Sequence, residues 1–293
     1  MRLGTTAALT ALALSLCPPM SAIAAPQGKA YHIYQPNLFP KGSVLPAQTS
    51  MLYYGGPVIS TTKVVVVLWG PNVPKATTSI LKPFFKALTN STYVDQMSQY
   101  STVGITGVNG DPGTNQTIAR GSFGGKFVIK PANTKTNLTD ADVQTELEGQ
   151  IAAGSLPKAN LNNLYMIYFP AGITITLDNL TSCSSFGAYH EAVSSKVTKK
   201  NIFYGVMPDC GYSPAGMESV SSHEFAEATT DAIPTPGSNP AFPQAWNTSN
   251  GYEIGDLCES SQGKLTAAGQ TFTVQQVFLN TTHACSTGNY TSP

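Results

Sequence analysis

Seven consecutive residues, Lys63 to Trp69 (KVVVVLW), restrict what this chain can fold into more than any other segment. β-Branched side chains crowd a helix but suit a pleated strand. The run has no polar alternation, so both faces must be covered, as in the central strand of a sheet with helices on either side. Gly70-Pro71 closes it. Leu164 to Phe169 (LYMIYF) and Ile202 to Met207 (IFYGVM) are apolar, aromatic runs each stopped by a proline, and are predicted as two more buried strands.

Between these runs the apolar period changes. Ile80, Leu81, Phe84, Phe85 and Leu88 recur at helical spacing, with Pro83 expected in an early turn or at a kink. Tyr93, Met97 and Tyr100 continue an apolar face. Thr139 with Asp142 resembles a capping box, and Val143, Leu147 and Ile151 follow at intervals of four, which predicts a helix from Thr139 to Ala153. Strands alternating with helices indicate an α/β fold of two or three layers, a central mixed sheet flanked by helices. A single domain is expected over 51–293, preceded by a polar, Pro-rich extended arm over 25–50.

The first residues have the layout of a signal peptide over 1–24: Met1-Arg2 carries positive charge, Thr5 to Cys17 is apolar, and Ala22-Ile23-Ala24 supplies small residues for cleavage. That apolar run, about 13 residues, is too short for a bilayer core of about 30 Å. A secreted product with no membrane span is expected. Four cysteines follow, Cys183, Cys210, Cys258 and Cys285, an even number suited to two disulfides in an oxidising compartment. Pairing neighbours closes two similar loops, and the other two connectivities remain open. No Cys-x-x-Cys pair supports a thiolate zinc site. Sixteen basic residues balance sixteen acidic ones, so no field draws in a polyanion, and nucleic acid is excluded as a partner.

The chemistry is concentrated in Ser219 to Asp231 (SVSSHEFAEATTD), a predicted helix with serines suited to an N-cap. His223 and Glu227 are four apart and share a helix face, while Glu224 can reach the same space. The pattern is that of a zincin-like active-site helix, His-Glu-x-x-His, with a carboxylate in place of the second imidazole. Zinc accepts carboxylate oxygen, so the exchange is chemically permissible. Glu253, in GYEIGDLC, is the preferred third ligand, and Asp256 is a ligand or the acceptor of the other ring N–H of His223. Asp231, another four residues along, competes for that place. His190 is a ligand or a donor to a developing oxyanion. The plainer account of the same residues is a solvated helix with a hydrogen-bonded structural histidine.

If the site is catalytic, zinc would activate water and Glu224 would take its proton, giving peptidase-type hydrolysis of a peptide substrate. An oxygen-rich ligand set weakens zinc as a Lewis acid and also suits calcium or manganese, so the alternative is a non-catalytic extracellular protein with a structural metal. A serine nucleophile is disfavoured because Gly211 to Gly216 (GYSPAG) misses the Gly-x-Ser-x-Gly elbow and Pro214 would obstruct the following helix.

Several of these segments, in order, resemble the EXORDIUM-like, phosphate-induced family of secreted plant proteins and their microbial relatives. The resembling segments are Tyr54-Gly55-Gly56-Pro57 before the Val64 to Trp69 strand, Ser182-Cys183 with Gly187 to His190, Ser222 to Asp231, and Glu253 to Cys258. Ala188 breaks the family's usual spacing, Phe225 replaces a leucine, and Asp231-Ala232 departs from its helix end. The resemblance implies an extracellular location and association with the cell wall, and so a cell-wall-associated substrate or partner.

Overall fold

The structure, a computed structural model, describes residues 1, 33–34, 45, 48–234 and 240–288. The signal peptide expected over 1–24 lies outside the described residues apart from Met1, as does most of the arm over 25–50. In chain order the elements that frame the fold are β1 (Ile33–Tyr34), β2 (Lys63–Leu68), α1 (Lys75–Leu88), β3 (Ser122–Val128), α2 (Asp140–Ala152), β4 (Asn163–Tyr168), β5 (Ala188–Ser194), β6 (Asn201–Met207), α3 (Pro214–Thr230), β7 (Gln262–Ala267) and β8 (Gln270–Gln275). Six strands form one sheet in the order β1-β5-β6-β4-β2-β3. β6, β4, β2 and β3 run parallel, β5 is antiparallel to β6, and β1 is antiparallel to β5. The sheet is mixed, with helices on both faces.

The valine run divides its side chains by the two-residue period of a strand. Val64, Val66 and Leu68 enter one core with Leu81, Phe84, Phe85 and Leu88 of α1 and Val220 and Phe225 of α3. Val65, Val67 and Trp69 enter another with Val143, Leu147 and Ile151 of α2. Three layers result. Pro83 is the ninth residue of α1 rather than part of an early turn. The carbonyl that it deprives of a partner belongs to Ser79, which is exposed, so water can replace the missing N–H. α2 begins with the expected reciprocal cap: Thr139 Oγ1 accepts the Asp142 N–H at 3.2 Å, and Asp142 Oδ2 accepts the Thr139 N–H at 2.9 Å.

α3 starts earlier than the serine cluster suggested. Its N-cap is Ser213, whose Oγ accepts the Gly216 N–H at 3.1 Å, and Pro214 occupies the first turn. A proline there sacrifices no helical hydrogen bond and presets φ, so Pro214 opens the helix instead of obstructing it. Every residue from Met217 to Thr230 is buried. The sheet lies against one side of α3, and the β7–β8 hairpin against another. Hydroxyls in so enclosed a helix need local acceptors: Ser222 donates to the Ser219 carbonyl, Thr229 to that of Phe225, and Thr230 to that of Ala226.

Two disulfides join Cys183 to Cys210 and Cys258 to Cys285, the neighbour pairing, each across 27 residues. On the chain-entropy model a loop of that length contributes about 3.5 kcal/mol. Among the described residues no helix is long and apolar enough to cross a membrane.

Candidate metal centre

Three pieces of chain meet where α3 passes the antiparallel end of the sheet. α3 supplies His223, Glu224 and Glu227. β5 supplies His190, which shares a sheet face with Ala188, a member of the α3-side core. The loop over 248–259 supplies Glu253, Asp256 and Glu259, and is pinned by the Cys258–Cys285 bridge and by the Phe278 N–H donating to the Ile254 carbonyl. Gly255 permits the closest approach. A Cβ there would lie 2.7 Å from both Glu227 Oε1 and His223 Nδ1, so a side chain would displace the loop or the two side chains it meets.

The helical spacing places His223 Nε2 3.0 Å from Glu227 Oε2. Despite that separation, His223 Nε2 has no hydrogen-bond partner, and neither oxygen of Glu224 has one. Two atoms bound tetrahedrally to one zinc ion are separated by about 3.3 Å, given metal–ligand distances of about 2.0–2.1 Å. The other oxygen of Glu227 accepts the Asp256 N–H at 3.0 Å, which fixes the carboxylate plane.

His190 has the most telling environment. Its Nε2 is 3.2 Å from the Asp231 carbonyl oxygen, which can only accept, so Nε2 carries a proton. Nδ1 lies 3.4 Å from Glu224 Oε2 and 3.8 Å from Glu227 Oε2, where an imidazolium would donate and a neutral ring would present its lone pair. In the neutral ring that lone pair faces two acids, an arrangement that a cation between them would stabilise. A histidine whose far N–H donates to a backbone carbonyl is also the usual arrangement of a metal ligand.

Among the described residues two triads could hold an ion, His190–Glu224–Glu227 and His223–Glu227–Asp256, in each of which the ligand atoms lie within 4.8 Å of one another. All five residues are buried. Burial, followed by the charges of Glu227 and Glu253, holds the Glu224 carboxyl well above the usual carboxylate range. Burial, then Glu227 and Asp231, does the same to Glu253. Burial pushes the His223 imidazolium down against the opposing pull of Asp256 and Glu259, so this ring is a poor source of compensating charge.

The remaining expected site residues are placed as follows. Glu253, expected as third ligand to His223 and Glu227, falls outside both triads; its Oε1 is 3.7 Å from His190 Nε2. Asp256 takes the place in the His223 triad, while its Oδ2 accepts the Glu253 N–H at 2.9 Å. Asp256 does not receive the other ring N–H of His223. The Gln275 amide nitrogen lies 2.8 Å from His223 Nδ1 and 2.8 Å from the Gly255 carbonyl, fixing the ring plane. In that orientation Nδ1 accepts and the neutral ring is protonated at Nε2; ligation through Nε2 requires the proton on Nδ1 and the amide turned to present its oxygen. Asp231 is not on the helix but at its C-cap, where its carboxylate accepts from Ala245 N–H at 2.8 Å and Asn247 Nδ2 at 2.6 Å.

The Tyr54–Pro57 segment buttresses this end of α3. Gly56 lies so close to the Pro243 and Gln244 backbone that no Cβ fits, and Tyr54 N–H and Gly56 N–H donate to the Ala245 and Gln244 carbonyls. Tyr34 of β1 packs edge-on against His223 with ring centroids 5.1 Å apart. Burial, aided by Glu259 and Glu224, pushes its phenol up to about 12. Gln275 carried no sequence signal, and Glu259 stands one residue beyond the acidic segment that attracted notice. His32 lies outside the described residues, and His283 is exposed with Nδ1 3.1 Å from the Thr49 carbonyl oxygen. No protein-family model, curated protein or solved structure matches this chain.

Proposed function

We propose that this is an exported metal-binding protein whose His190, His223, Glu224, Glu227 and Asp256 cluster takes up a divalent cation. The observation that carries the reading is His190, with its far N–H given to the Asp231 carbonyl and its Nδ1 facing Glu224 and Glu227. Imidazole with carboxylate is zinc chemistry first, and the oxygen-rich remainder also suits manganese or calcium. Export is supported by the two disulfides and by the segments resembling the EXORDIUM-like family. Complete burial of His223, Glu224 and Glu227 favours a cation that holds α3, β5 and the acidic loop together.

A zinc-dependent hydrolase of peptidase type is the second reading. It is supported by Glu224, which follows His223 as in a zincin-like helix and whose carboxylate oxygens have no hydrogen-bond partner. Zinc would supply a Lewis acid and an acidified water, and Glu224 would serve as the proton acceptor. One variant separates the two roles. Glu224→Gln should lose bound zinc, measured by mass spectrometry, if Glu224 is a ligand of a structural ion. Retained zinc together with abolished digestion of a mixed peptide library would establish the hydrolase. A wild-type protein that takes up no zinc, manganese or calcium would overturn both readings.

A further inference from the structure

We infer that the cluster binds two divalent cations, bridged by Glu227, rather than one. The inference rests on the proposal that the cluster binds metal at all, and goes beyond it in number and arrangement.

The two triads have one member in common, Glu227, and each has its own imidazole and its own second carboxylate. A single carboxylate oxygen, Glu227 Oε2, faces both rings, at 3.0 Å from His223 Nε2 and 3.8 Å from His190 Nδ1. That oxygen has lone pairs enough for two cations. One ion cannot collect the whole set. Two ligands of one zinc ion lie within about 4.2 Å of each other, twice the longest usual Zn–N distance, and among the described residues no set of mutually close ligand atoms within 4.8 Å contains both His190 and His223. An ion placed at either histidine therefore lies beyond the reach of the other ring.

Charge leads to the same number. Glu224, Glu227, Glu253, Asp256 and Glu259 are all buried. The carboxylates of the two triads alone, Glu224, Glu227 and Asp256, carry three negative charges when ionised, more than one divalent cation offsets. Uncompensated buried charge is expensive, several kcal/mol per ion even after relaxation. Independent evidence of a ligand at each place comes from buried atoms aimed inward without hydrogen-bond partners: His223 Nε2 in one triad and both Glu224 oxygens in the other. Gly255 keeps the space beside Glu227 and His223 clear of a side chain.

The test is the molar ratio of zinc to full-length protein, read by isothermal titration and by mass spectrometry after removal of loosely bound ion. The wild type should bind two equivalents, His190→Ala one, His223→Ala one, and Glu227→Gln neither at full affinity. A wild-type ratio of one overturns the paired site while leaving the metal-binding proposal intact, and a ratio of zero removes both. Should the variants fail to fold by circular dichroism, the wild-type ratio decides alone.

Discussion

Residues 189 and 190, adjacent on β5, point into two polar clusters on opposite faces of the sheet, one half-buried and one buried, and the two are built on opposite terms. Behind the sheet, Tyr189 and Tyr204 donate to Asp140 Oδ1 at 2.7 and 2.8 Å, and Gln144 donates to Oδ2 at 2.7 Å. One carboxylate there has three protein donors. In front of the sheet, His190 joins five carboxylates, and the one ring nitrogen that must donate gives its proton to a backbone carbonyl. An acid supplied with donors is a structural feature, whereas buried Glu224, with neither oxygen in a hydrogen bond, is where a cation would be stabilising. Asp140, half-buried, shows that this chain can satisfy a carboxylate with neutral side chains, which Glu224 on the other face lacks.

The comparison breaks first under chelation. Removing a cation held at about a thousand times its dissociation constant should cost about 4 kcal/mol, a drop in melting temperature on the order of 10 °C for a chain of this size. An unchanged melting curve would place both clusters in the same class. Chelation should also invert the pH response. Because Glu224 and Glu253 are raised above the ordinary 4.5, the folded chelated protein holds their protons more tightly than the unfolded chain. Its stability then falls as pH rises above about 4.5 towards the raised values. The depressed His223 works in the opposite sense up to its ordinary 6.5, but it is one group against two. In the loaded protein protons compete with the cation, so stability should rise over the same range; parallel slopes in melting experiments would contradict the account.

Gln275→Ala sharpens the comparison with a smaller effect. Loss of the contact that fixes His223 should weaken zinc binding about 10- to 100-fold, as for other outer partners of metal-bound histidine, measured by competition with a chelating dye. Asp140→Asn should act on the other face alone. It should cost about 1–3 kcal/mol through the disturbed donor set and leave metal content unchanged; any loss of metal would show that the clusters are coupled through β5.

Features governed by neighbours in sequence were readable before the structure. The valine run became the parallel-sheet strand β2, Thr139 and Asp142 formed their cap, and His223 and Glu227 came onto one face because four residues make about one helical turn. The acidic loop was legible in composition but not in assignment. Choosing between Glu253 and Asp256 depends on how a turn pinned by Gly255 and a disulfide lands on the helix. Gln275 was invisible, since a glutamine at a strand end gains its role from a ring 52 residues away. The helix start was missed because Pro214 was expected to obstruct a helix, whereas at the first helical position it is a starter. Asp231 continued the helical spacing on paper, yet the chain leaves the helix at that residue, with φ −143° and ψ 87°.

Anomalous X-ray diffraction at the zinc edge, from crystals of the full-length protein grown with zinc, tests the central claim most directly. The account predicts strong peaks about 2.0–2.2 Å from Glu227 Oε2 and from the facing nitrogens of His190 and His223. Peaks only at surface residues, or an ordered water joining Glu224 to His190 in place of metal, would contradict it.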